Sequence, residues 1–262
     1  MHQSSSSTSG LMKSQVIQIT RQPGQLLGLA GAAGLLVLIA ALASMAFVQG
    51  TRNGSMEVTP REIREIPGFG FAFAQLLLGS TIITLVTTEW TSGSILGTVA
   101  TTQRRSALVV AKAVVGAGAA LAALLVGAIC SLVLASTVLS TGGLEMALTS
   151  SSQWKHVVGL TAAGVLSTVL AVGVAFAMRR TAAAIVTYIA LVMVAPIALG
   201  MVPWTPLMKV ASLLPLNASG YMMSTGAPPD TGLSVAGGYV AMSAWAAAGL
   251  AIGWWRMVRT DV

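Results

Sequence analysis

Six uninterrupted apolar stretches constrain this chain more than any other feature. They lie at 25–48, 70–87, 108–136, 157–177, 182–201 and 235–255, and Lys112 is the one charged residue inside them. About 20 apolar residues wound as a helix cross about 30 Å of hydrocarbon, at 1.5 Å per residue. No water is present there to satisfy backbone polar groups, so each segment must satisfy its own, which selects helix. A transmembrane barrel would show alternating strands of about ten residues. These runs are longer, do not alternate, and are rich in Ala, Leu and Gly. Only 8% of the 262 residues are charged, against about 25% in soluble domains. Too few polar side chains exist to cover a water-facing globule. The expected fold is an all-α integral membrane protein of six transmembrane helices.

The segments between the spans refine that picture. Residues 1–10, with serines at positions 4–7, read as a disordered N-terminus, followed by a single membrane domain over 11–262. Residues 11–24 mix Leu11, Met12, Val16, Ile17 and Ile19 with Lys13, Gln15, Gln18 and Arg21. That mixture fits an amphipathic helix lying in the membrane interface, with a plain polar lead-in as the alternative. Ala41-Leu42-Ala43 resembles a signal-peptidase site, but the apolar run continues to Val48, beyond the roughly 7–15 residues of a signal core. Residues 49–68 alternate acid and base, as a solvated loop or short helix does. Lys112 is expected to snorkel to the interface. Arg179-Arg180 leaves so short a link that spans four and five must form an antiparallel hairpin. Residues 202–233 contain Pro203, Pro206, Pro215, Pro228 and Pro229 yet remain apolar. Short helices dipping into the bilayer, a re-entrant segment before the last span, reconcile the two facts. Trp254-Trp255-Arg256 closes the sixth span as an interfacial anchor.

Six spans place both termini on one side. That side collects Lys13, Arg21, Arg104, Arg105, Lys112, Arg179, Arg180, Arg256 and Arg259 against Glu89 and Asp261, nine bases against two acids. The other side has five of each. Lys and Arg accumulate on the cytoplasmic face, so both termini are expected in the cytoplasm. The same bias accounts for the net charge of +7 without invoking nucleic acid.

Catalytic chemistry is sparse. No Gly-x-x-x-x-Gly-Lys-Ser/Thr loop occurs, so the chain has no P-loop ATP site of its own. His2 and His156 lack ligand spacing, and His156 beside Lys155 reads as an interface residue. Cys130 is the single cysteine; it can form no internal disulfide or thiolate metal site, and reads as a small core residue. No catalytic residue, metal ligand or cofactor site is expected within the chain. Gln75, Thr81 and Thr84 are candidates for a translocation path, and with Ser131 and Ser167 they serve equally as interhelical glue. Gly28, Gly31 and Gly34, and Gly116 with Gly118, would permit close helix approach.

One polar island remains: Glu89-Trp90-Thr91-Ser92-Gly93-Ser94, then Arg104-Arg105 and Ala111-Lys112. This stretch resembles the segment after the second span in ABC-2 type permeases, the membrane subunits of bacterial ABC exporters. Leu213-Leu214-Pro215 resembles the Leu-Pro element such chains carry before the last span. Ser94 stands where Thr is common, and Gln103 where Pro is common. The resemblance implies a cytoplasmic coupling helix that docks on a separate ATPase, with Glu89, Trp90, Gly93, Ser94, Arg104 and Arg105 forming the coupling site. It implies two ATPase copies, which hold ATP and Mg, and a second permease copy. The assembly would sit among lipids of the bacterial cytoplasmic membrane and export an apolar or amphipathic substrate. The alternative from another class is a scaffold or immunity protein that binds partners and moves nothing.

Overall fold

A computed structural model describes residues 15–17, 19–91, 105–226 and 232–259. Among them every regular element is a helix. We number α1 as Pro23–Arg52, α2 as Pro60–Glu65, α3 as Phe71–Thr91, α4 as Arg105–Ser140 and α5 as Ser151–Met178. The fifth span, α6, covers Thr181–Gly200. Two short helices follow, α7 at Thr205–Ser212 and α8 at Pro215–Met223, and then α9 at Val235–Arg259. Residues 15–17 and 19–21 are helical and precede α1. Among the described residues six helices are long and apolar enough to cross a membrane. Five of them contain the expected apolar stretch and run past it, because hydropathy marks the apolar middle while backbone hydrogen bonding continues through polar end turns; the fifth, Thr181–Gly200, starts one residue early and stops one residue short of the expected Met201. The 36 residues of α4 reach about 54 Å, well beyond the hydrocarbon thickness.

Helix ends follow local chemistry. Thr59 and Glu62 cap each other reciprocally at the start of α2, satisfying two otherwise orphan N–H groups. Pro206 and Pro215, read from sequence as breakers, stand in the first turns of α7 and α8. There a missing N–H costs nothing and the fixed φ suits helix entry. Inside α6, residues Ala190–Val194 form a π-helical stretch ahead of Pro196. Proline removes one ladder bond and crowds the carbonyl four residues back, and a wider turn relieves both. The hairpin expected between spans four and five is present. Arg179 ends α5 at φ 57° with its N–H on Ala175 O, and α6 begins two residues later.

Helix α5 is the hub. It buries 72% of its most apolar window and α3 buries 61%, whereas α1 and α6 bury only 17% and 22% of theirs. Along α9 the hub packs backbone against backbone. A Cβ on Gly173 would lie 2.2 Å from Gly249 C, and one on Gly253 would lie 2.6 Å from Gly173 O. Lipid is as apolar as leucine, so such close packing and hydrogen bonding, rather than apolar burial, hold spans together.

The six long helices run up and down. Thr87 on α3 bonds Thr181 on α6 across 2.7 Å, and Arg179 donates to Arg256 O at 2.7 Å. These contacts gather the ends of α3, α5 and α9 at one pole. At the opposite pole Arg52 donates to Thr141 O at 2.5 Å, and Gln153 to Arg64 O at 3.2 Å. The chain between α6 and α9 does not stay at that pole. Trp245, ten residues into α9 and so about 15 Å along it, donates its indole N–H to Leu213 O at 2.8 Å.

Three single-residue expectations are corrected. Lys112 does not snorkel; it is 3% exposed and ion-paired, because an anion lies at its own depth. His156 is not an interface residue; it is buried against the backbone of α8. Cys130 is exposed on the outer face of α4 rather than packed in the core.

Candidate functional site

The last turn of α3 carries Glu89 and Trp90 to the pole where the chain's ends meet. Glu89 Oε1 accepts from Lys112 Nζ at 2.7 Å, and the same ammonium donates to Gln15 Oε1 at 3.0 Å. Lys112 lies seven residues into α4, and Gln15 belongs to the N-terminal helical residues. One buried cation therefore ties three pieces of chain. The side chains of the pair are 1% and 8% exposed. Removing such charges from water is costly, and one partner without the other is far costlier, so the two residues are mutually obligatory.

Around this pair the packing is apolar and tight. Ile19, one turn after Gln15, enters the cluster formed with Ile82, Val86, Leu108, Phe176 and Met257. Trp90 meets Phe176 edge to face, with ring centroids 5.3 Å apart and planes at 82°, an arrangement aromatic quadrupoles favour. The Trp90 indole nitrogen is buried without a hydrogen-bond partner among the described residues. Arg179 and Arg256 clasp α5 to α9. Each guanidinium donates to a main-chain carbonyl of the other strand of the clasp, Arg256 O and Ala177 O respectively. Cations at helix C-termini also suit the macrodipole.

Of the expected coupling residues, Glu89 and Trp90 are brought together in this platform. Glu89 faces inward, so its carboxylate anchors the end of α3. Gly93, Ser94 and Arg104 lie outside the described residues, and Arg105 opens α4 with its side chain likewise outside them.

The expected path residues are spread over α3. Gln75 is 1% exposed and donates to Ser167 Oγ at 2.8 Å. Ser167 and the Tyr188 hydroxyl are 2.6 Å apart, and Tyr188 donates to Gln75 O at 3.2 Å. With Tyr188 donating to the carbonyl, Ser167 donates to Tyr188 and accepts from Gln75, a closed ring across α3, α5 and α6. Gly79 makes room for it, since a Cβ there would lie 2.2 Å from the tyrosine ring. Thr81 and Thr84 donate to Leu77 O and Ser80 O in their own helix, at 2.7 and 2.8 Å. Among the described residues no group of His, Cys, Asp and Glu has metal-binding geometry. The contacts at the Glu89 pole hold the last turn of α3 against α4 and the N-terminal helical residues.

Gln15 and Tyr188 were not singled out from sequence. A signal for the first existed. A lysine two turns inside an apolar helix needs an anion at equal depth, and the preceding span ends on Glu89. No protein-family model matches the chain, and no curated protein is significantly similar to it.

Proposed function

We propose that the chain is the membrane-spanning permease subunit of an ATP-driven exporter of ABC-2 type. In this reading both termini are cytoplasmic, the membrane is the bacterial cytoplasmic membrane, and two copies of a separate ATPase drive a pair of permease chains. The ATPase holds the ATP and Mg. The cargo is apolar or amphipathic: a drug, antibiotic, lipid or peptide. The observation that carries the reading is the Glu89–Lys112–Gln15 cluster. It clamps the root of the segment 92–104, which resembles a coupling helix, to the N-terminal helical residues and to α4. A push on a segment so rooted is delivered to helix axes rather than dissipated in loose chain, and rigid-body shifts of packed helices are how such motions travel. The depth of Leu213 against Trp245 supports a re-entrant α7–α8 segment.

The test is ATP-dependent accumulation of fluorescent amphipathic dyes in inside-out vesicles that contain the chain and its ATPase. Accumulation should require both proteins, and Arg104→Glu should abolish it while ATP hydrolysis continues. Vesicles in which ATP and the chain make no difference would favour the non-transporting scaffold.

A further inference from the structure

The pole that holds Glu89 carries positive charge without a matching anion. Among the described residues its one carboxylate is Glu89 itself, already spent on Lys112 within the packing. Arg180, Arg256 and Arg259 are exposed there. Arg180 follows Arg179, whose Nη2 reaches Arg256 O across the α5–α9 clasp, so the exposed arginines gather at one junction. Arg256 spends one N–H on Ala177 O. The guanidinia of Arg180 and Arg259 have no hydrogen-bond or carboxylate partner among the described residues. Arg259 lies instead over the Trp255 ring, 5.4 Å from its centroid. Residues 259, 255, 252 and 248 share one face of α9, being three or four apart. All four are exposed: Arg259, Trp255 at 51%, Ile252 at 54%, and Ala248. From the pole inward the order is a cation, an aromatic ring and then aliphatic side chains, the polarity profile of a phospholipid from head to tail. Interfacial tryptophans sit at headgroup level, which puts Arg259 at the depth of the phosphates.

We propose that this junction binds one anionic phospholipid. Its phosphate takes the guanidinium forks of Arg180 and Arg259, whose planar N–H pairs match phosphate oxygens two at a time. Its acyl chain lies along Trp255, Ile252 and Ala248. A zwitterionic lipid brings a choline cation with its phosphate, and a junction of arginines without a carboxylate repels that cation. A head with negative charge alone meets no such opposition. The inference needs only the membrane-spanning fold and does not depend on transport.

The experiment titrates the full chain, purified in a neutral detergent, with dioctanoyl phosphatidylglycerol and, separately, dioctanoyl phosphatidylcholine, by calorimetry with empty micelles subtracted. The two lipids share tails and phosphate and differ in the choline cation. Phosphatidylglycerol should bind saturably and about tenfold more tightly. Arg180→Gln combined with Arg259→Gln should weaken it about tenfold, while Lys155→Gln at the opposite pole should leave it unchanged. Glycerol phosphate should fail to displace the lipid, since it lacks the chain that Trp255 and Ile252 receive. Equal affinity for the two lipids, full affinity in the double variant, an equal loss in Lys155→Gln, or displacement by glycerol phosphate would overturn the proposal. The comparison of lipids on the unaltered chain decides even where the double variant fails to fold, and failure of transport would leave it standing.

Discussion

The Glu89–Lys112 pair behaves as a unit because neither charge has water to turn to. Removing one partner from a buried pair costs about 3–5 kcal/mol, whereas replacing both with packed neutral groups is often close to neutral. Glu89→Gln and Lys112→Met should therefore each destabilise the chain strongly, and the double variant should be more stable than either. Unfolding in bicelles, read as a double-mutant cycle, checks this; simple additivity would mean the 2.7 Å contact carries no coupling. The pair was half legible in the sequence. Lys112 stands out as the one charge in an apolar run, but its partner depends on how α3 and α4 are registered side by side, and periodicity within one helix does not encode that. His156 was misread for a related reason. Its neighbour Lys155 suggests an exposed turn, but the ring is aimed at Met223 O, 67 residues away in sequence.

At the scale of elements, backbone contact between α5 and α9 sets the geometry of the hub. Gly253→Val should cost about 1–3 kcal/mol through overpacking, because even its Cβ meets Gly173 O. Gly118→Val should be nearly silent, since among the described residues nothing lies within 4 Å of a Cβ there. Thermal unfolding in detergent separates the two, and equal shifts would contradict the packing described. The spans themselves were readable, since solvation in lipid demands their length. The glycine contacts were readable only in part. Gly28 and Gly31 do face Thr81 and Leu77 closely, while Gly34 and Gly118 face nothing among the described residues. The spacing Gly249-x-x-x-Gly253, which does meet a partner backbone, is one of many small-residue spacings in so Ala- and Gly-rich a sequence. The π stretch in α6 left no signal beyond Pro196, because a proline alone does not say whether a helix kinks, breaks or widens.

The whole molecule has two unlike poles: one where cations clasp helix ends around Glu89, and one with a cavity between α2, the start of α5 and α8. The excess of Lys and Arg at the first predicts that it faces the cytoplasm. With Cys130 replaced by Ser, Ser55→Cys should react with a membrane-impermeant maleimide in intact cells. Arg180→Cys should react only after permeabilisation; the reverse pattern would invert the topology and sink the docking of any cytoplasmic ATPase at Glu89. The large outer faces of α1 and α6, little buried within one chain, leave room for lipid and for a second copy. In the proposed exporter another protein powers this one. The measurement that tests it most directly is affinity purification of the chain from its native membrane in mild detergent, with mass spectrometry and an ATPase assay on the eluate. The account predicts a stoichiometric P-loop ATPase with vanadate-sensitive hydrolysis. A lone chain without ATPase activity, under conditions that keep other membrane complexes intact, would contradict it.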